Sequence, residues 1–203
     1  MKSDSSNTVR VAVITGGAMG IGGAAAQHLA ASGHRVIIAD RDRQAADLTV
    51  AALVALGHQA DAVTMDVSEP ASIASGFAHI EQLTGRCDIL VNSAGVATVA
   101  AFLDFKLEEF QRTMNINVTG TLLCSQHAAR LMVKHQWGRI INIASVAGMR
   151  AVGSGRTAYG TSKGAVIALT RQMAVELAEH GITANAVCPG PVDTPLTQKL
   201  HSA

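Results

Sequence analysis

The chain is poor in aromatic residues, proline and cysteine, and carries no surplus of either charge. Aromatic side chains make up 3% of the 203 residues against 48% hydrophobic in all, so any core has to be built from Ala, Val, Ile and Leu. The formal net charge of +1, with basic and acidic residues interspersed, lacks the footprint of a nucleic-acid-binding protein. Eight histidines are scattered, with no HExxH or similar ligand pair, so no metal site is expected. Three cysteines at 87, 124 and 188, odd in number and far apart, fit reduced thiols better than a disulfide framework. No run is long enough to cross a membrane, and the polar residues 1–8 have no apolar signal core; they are expected to form a flexible tail. Together these features predict a soluble cytoplasmic chain with one domain spanning residues 1–203.

Along that chain, short β-branched runs alternate with helical stretches. Strands are expected at 9–14, 34–40, 59–65, 87–91, 138–144 and 182–187. Helices are expected from 23–31, from 43 to 56 ending at Gly57, from 70 to 83 closed by Gly85, across 107–136, and from Tyr159 to about His180. Alternation of this length implies a parallel sheet with right-handed crossovers, a doubly wound α/β fold in the order 3-2-1-4-5-6. The three prolines from 189 onward belong to a stiff loop beyond the sixth strand.

Two stretches carry chemistry. After the first strand comes Thr15-Gly16-Gly17-Ala18-Met19-Gly20-Ile21-Gly22, and then a helix. Strand, glycine turn and helix let a backbone approach a pyrophosphate whose charge meets a helix N-terminus. No Gly-Lys-Ser/Thr follows, which argues against a nucleoside triphosphate site. The second strand ends in Asp40, an acid that can accept ribose hydroxyls and repel a 2′-phosphate, favouring NAD over NADP. The non-basic Met19 points the same way, whereas Arg41 and Arg43 blur the preference because a guanidinium is the usual phosphate partner. The other stretch is Tyr159-Gly160-Thr161-Ser162-Lys163, which places a phenol and an ammonium four apart on one helix face. A neighbouring cation favours phenolate, as a tyrosine acid/base requires. Ser145 and Asn92 fall at the carboxyl ends of strands, where open parallel sheets bind ligands.

In order and approximate separation these motifs resemble the short-chain dehydrogenase/reductase family over nearly the whole chain, and so imply a Rossmann fold. Thr15, Gly16, Gly20 and Gly22 resemble its TGxxxGxG turn, Asp66-Val67 its adenine-side pair, and Asn92-Ser93-Ala94-Gly95 its NNAG motif. Ser145, Tyr159 and Lys163 match the catalytic Ser and YxxxK; Asn117, with Asn115 as the alternative, matches the fourth catalytic member. Pro189, Gly190, Val192 and Thr194 resemble the loop that contacts the nicotinamide carboxamide. With Met19, Ile21 and Arg41 these residues make up the expected cofactor site. The resemblance implies that Ser145 holds a substrate oxygen, Tyr159 exchanges a proton with it, Lys163 assists the phenol and binds the nicotinamide ribose, and Asn117 positions a water.

The implied activity is NAD-dependent interconversion of a secondary alcohol and a ketone, with a polyol or sugar alcohol as the first substrate candidate. An NADP-dependent 3-oxoacyl thioester reductase is the alternative, and a nucleotide-binding regulatory or scaffold protein without turnover is a third possibility of another class. The sequence given stops at Ala203, ahead of the lid region and final strand usual in the family, so the sixth strand is expected at the sheet edge. The resemblance also implies a homodimer or homotetramer packed through the 107–135 helix and the Tyr159 helix, where Gly164, Ala165, Ala168 and Ala174 allow close approach.

Overall fold

The computed structural model describes residues 9–195, 197 and 198, so the 1–8 stretch read as a tail lies outside the described residues. Its elements run β1 (Val11–Thr15), α1 (Gly20–Ala31), β2 (Arg35–Asp40), α2 (Arg43–Ala55), β3 (Ala60–Thr64), α3 (Pro70–Thr84) and β4 (Ile89–Asn92). They continue with α4 (Leu107–Met114), α5 (Gly120–Val133), β5 (Gly138–Ile143), α6 (Thr157–Glu176) and β6 (Ile182–Val187). All six strands pair in parallel in the order β3-β2-β1-β4-β5-β6. This is the expected doubly wound sheet, with β6 as an edge strand among the described residues.

The core follows from strand periodicity. Val11, Val13, Ile37 and Leu90 face α3, α5 and α6 with Ile73, Phe77, Ile80, Cys124 and Met132. Their neighbours Ala12, Ile14, Val36, Ile38 and Val91 face α1 and α2 with Ala26, Ala30, Ala46 and Leu53. The inner strands β1, β2 and β4 are buried on both faces because helices cover both. Ends are set by local chemistry: the Asp42 side chain accepts from Ala45 N at 3.0 Å to cap α2, and Gly85, at φ 68°, closes α3.

One element differs from expectation. The 107–136 stretch is not a single regular helix; a π-helical turn at Asn115–Thr119 separates α4 from α5. Its residues, Asn-Ile-Asn-Val-Thr, are all weak helix formers. Close packing also fixes this place, because a Cβ on Gly120 would lie 2.7 Å from the Val67 carbonyl oxygen.

At the amino ends of the strands the fully buried Asp88 carboxylate accepts from Val11 N at 2.8 Å and from Arg86 at 2.8 and 2.7 Å. Trp137 is flanked there by Arg10 and Arg139, at 3.9 and 4.4 Å from its ring centroid. None of the predicted site residues is at that end. They gather toward the opposite end, at the rim or beneath it.

Candidate active site

The carboxyl ends of the strands open on a cavity of about 580 Å³. Gly16 N donates to Ala39 O at 2.8 Å, tying the glycine turn to the end of β2. Gly16 has a φ of 63°, and a Cβ there would come within 2.8 Å of the Ala94 backbone. The turn and the β4 loop are therefore in contact only because position 16 lacks a side chain. Gly20, at φ 56°, starts α1, whose N-cap residue Met19 makes no side-chain capping hydrogen bond. The first turn of α1 is thus open to an anion. Asp40 is fixed beside this turn: Ala18 N donates to one of its oxygens at 3.2 Å and Asp42 N to the other at 3.1 Å. Asp66 accepts from the Ser68 hydroxyl at 2.6 Å and the Ser68 amide at 2.8 Å. The Ser68 hydroxyl, aided by its amide and by Arg41, holds that carboxyl below its ordinary value against the effect of partial burial.

At the other end of the cavity, Ser145 Oγ accepts from Ala147 N at 3.1 Å and caps a short 3₁₀ turn, Val146–Gly148. Gly148 lies so close to α6 that a Cβ would be 2.5 Å from the Lys163 carbonyl carbon. This contact seats the Ser145 turn against the helix carrying Tyr159 and Lys163. The Lys163 ammonium is buried, donates to Ile143 O at 2.7 Å, and lies 5.7 Å from the Tyr159 ring centroid. Burial pushes its pKa down to about 8, against a smaller raising effect from Cys188. Gly95 closes the wall opposite, where a Cβ would sit 3.7 Å from Lys163 Nζ.

Most of the predicted residues share this cavity. Gly16, Met19, Gly20 and Ile21 line it with Asp40, Arg41, Asp66 and Val67; Ala94, Gly95, Ser145, Tyr159, Lys163, Pro189, Gly190, Val192 and Thr194 line the rest. Four predicted residues do not line it, and each supports a wall. Thr15 Oγ1 accepts from Ser93 N and Ala94 N at 3.2 and 3.3 Å. A Cβ on Gly22 would fall 2.2 Å from Gly16 O, so this glycine lets α1 pack on the turn. The buried Asn117 amide accepts from Val96 N and donates to Val96 O and Ser162 Oγ, each at 2.9 Å. Asn115, the alternative to it, donates to Ser68 O at 2.9 Å from an exposed position. Asn92 is buried under the rim and donates to Ser125 and Asn142.

Residues 10–203 match the sequence profile of short chain dehydrogenases. The chain is a short-chain dehydrogenase. It is 39% identical to a 3-oxoacyl-[acyl-carrier-protein] reductase of Synechocystis, over 96% of this chain and 79% of that protein. It is 38% identical to a dehydrogenase subunit of Thauera aromatica acting on (2S)-[(R)-hydroxy(phenyl)methyl]succinyl-CoA, over 94% of this chain and 76% of that one. Among solved structures, a variant of actinorhodin polyketide ketoreductase with NADPH superposes with a TM-score of 0.92 at 33% identity, covering 97% of this chain and 76% of the other. A short-chain dehydrogenase/reductase from Mycobacterium marinum gives 0.91 at 38% identity, covering 95% and 77%. The enzyme is therefore an oxidoreductase of a family that uses a nicotinamide cofactor.

In this short-chain dehydrogenase the sequence motifs leave some of the cavity unassigned. Arg112 and Ile116 reach it from α4 and the π-helical turn. Their four-residue spacing on one helix face, with Ile116 set between Asn115 and Asn117, is the signal that could have found them. Asn142 and Thr170, buried behind the rim and bonded to each other, were also unassigned; an asparagine in the apolar run Ile140-Ile141-Asn142-Ile143 was their visible sign. Among the described residues no three His, Cys, Asp or Glu side chains converge as a metal site, and no helix is long and apolar enough to cross a membrane.

Proposed function

We propose that the enzyme interconverts a secondary alcohol and a ketone with NAD, using Tyr159 as the proton donor and acceptor. The observation that carries this is one cavity with Asp40 at one end and Ser145, Tyr159 and Lys163 at the other. The Ser145 oxygen already receives the Ala147 amide, which leaves the serine proton for a substrate oxygen. Tyr159 passes a proton to that oxygen in reduction and takes it back in oxidation. Lys163 sets a positive charge beside the Tyr159 ring and would hold the nicotinamide ribose hydroxyls. Asn117 acts on the set by fixing the Val96 wall and Ser162. Nicotinamide, when bound, supplies or takes the hydride.

The chain also has the groups to hold that cofactor. The open first turn of α1 with Gly16, Gly20 and Ile21 suits the pyrophosphate, Asp40 the adenosine ribose, Asp66 and Val67 the adenine, and the 189–194 loop the carboxamide. Asp40 is held by two backbone amides in a place where a 2′-phosphate would meet its charge, which supports NAD. In the same reading the whole chain, 1–203, is one nucleotide-binding domain located in the cytoplasm. It would form a homo-oligomer through α4, α5 and α6, consistent with the exposed Phe102, Leu103 and Leu107 just ahead of and at the start of α4.

A polyol or sugar alcohol is our first substrate class. The Synechocystis relative, named as a 3-oxoacyl reductase, favours the second, a 3-oxoacyl thioester reduced with NADPH. The test is NADH formation from NAD over a panel of polyols and other secondary alcohols, and NADPH oxidation over 3-oxoacyl thioesters, with Tyr159→Phe as the blank. Loss of at least ~100-fold in turnover with cofactor binding intact is expected for that variant. Equal rates in wild type and variant would remove Tyr159 from the chemistry, and absence of turnover with tight NADH binding would point to a binding protein. Asp40→Ala should improve NADPH binding relative to NADH; an unchanged ratio would unseat Asp40 as the ribose partner.

A further inference from the structure

Taking Lys163 as part of the reacting set proposed above, we infer that Asn142 and Thr170 are positioning residues: their hydrogen bond seats α6 on β5 so that the lysine meets the Ile143 carbonyl. Thr170 Oγ1 donates to Val166 O at 2.7 Å, which spends its one proton. Toward Asn142 it can therefore only accept, and it does so from Nδ2 at 2.8 Å. That fixes the orientation of the Asn142 amide. Its oxygen accepts from Asn92 Nδ2 at 2.8 Å, and Asn92 places its second N–H on Ser125 Oγ at 3.0 Å. From Asn92 the main line of donors runs one way, from β4 through β5 into α6, with a side branch to Ser125 in α5. Asn92, Ser125, Asn142 and Thr170 are each no more than 4% exposed. At the donor end the Asn92 oxygen is left as the one described buried side-chain atom without a hydrogen-bond partner.

The geometry links this chain to the lysine. Thr170 lies two helical turns beyond Lys163 on the same face of α6, and Asn142 directly precedes Ile143 in β5. Strand and helix are thus joined at two neighbouring points, Asn142–Thr170 and Ile143–Lys163. The second joint is a flexible four-carbon side chain whose only described acceptor is the Ile143 oxygen, so it cannot set the register alone. The first is short, branched and dry, which suits it to that task.

The test is steady-state turnover and its pH profile in Thr170→Val, Thr170→Ser and Asn142→Leu, each alone and in a Lys163→Ala background, measured on folded protein well below its melting temperature. Thr170→Val and Asn142→Leu should lower kcat about tenfold or more by displacing the lysine. Both should move the pH profile of oxidation upward, in the direction of Lys163→Ala. Thr170→Ser, which keeps the hydroxyl, should recover rate and profile to within about twofold. In the Lys163→Ala background the same changes should cost nothing further. Wild-type kcat and pH profile in folded Thr170→Val and Asn142→Leu, or equal losses in both backgrounds, would overturn the inference and leave the pair a packing feature. If Lys163→Ala itself keeps full turnover, the catalytic assignment of the lysine fails, and the inference falls with it.

Discussion

The two halves of the sheet are built by different means. From β1 through β3 the only buried polar side chain is Thr15, and the ligand-facing geometry comes from backbone: glycine dihedrals, an open helix N-terminus and amides that grip Asp40. From β4 through α6 the interior holds Asn92, Asn117, Ser125, Asn142, Ser145, Ser162, Lys163 and Thr170, nearly all joined by hydrogen bonds. Where a cofactor only has to be held, apolar packing with exposed amides suffices. Where an ammonium has to be kept in place out of water, the fold accepts the cost of burying polar groups and satisfies them one by one.

The largest effect that would break this contrast concerns that ammonium. Lys163 has its pKa lowered by burial from 10.5 to about 8, so between those values the unfolded chain binds the proton that the folded chain has lost. Stability from this group therefore rises with pH across that window, by up to roughly 3 kcal/mol, and the full cost is present below it. Denaturant unfolding of the cofactor-free enzyme should show wild type gaining on Lys163→Met between pH 8 and 10.5. A constant gap would mean the ammonium is hydrated and the polar half costs little. Next comes the backbone half. Gly16→Ala places a side chain at positive φ and against Ala94, and should cost about 2 kcal/mol or more in stability, with a parallel loss of cofactor affinity. Unchanged NADH binding, read by fluorescence titration, would show that the turn is not what holds the nucleotide. The smallest effect sharpens the comparison at its margin. Ser125→Ala leaves an Asn92 N–H unpaired and should cost about 1 kcal/mol without altering cofactor affinity.

Strand positions, strand order and most of the cavity lining could be read from the sequence, because buried parallel strands and glycine turns leave dense local signals. Gly16 follows a strand, Asp40 ends one, and Tyr159 and Lys163 stand four apart on one helix, all signals that a one-dimensional pattern exposes. The asparagines could not be placed in the same way. The sequence places Asn92 at the rim, and the resemblance gives Asn117 a water to position; in the fold Asn92 is buried beneath the rim and Asn117 ties the Val96 loop to Ser162. An amide offers donor and acceptor in every direction, so its partner is set by what the fold brings near, some 21 to 50 residues away in the chain. The break between α4 and α5 was also invisible, since Asn-Ile-Asn-Val-Thr keeps an apolar rhythm while adding one residue to a turn.

That added residue makes chain length a variable in its own right. An α-helix advances about 100° per residue, so α4 and α5 meet the sheet with a phase offset that no substitution between them can reset. Replacing a side chain in 115–119 would alter one contact, whereas removing one residue would rotate Arg112, together with its ion-pair partner Glu109, away from its present bearing on the cavity while leaving α5 in place. Over these five residues the gene specifies a count as well as a spelling, and an in-frame codon deletion would disturb the site more than most missense changes beside it.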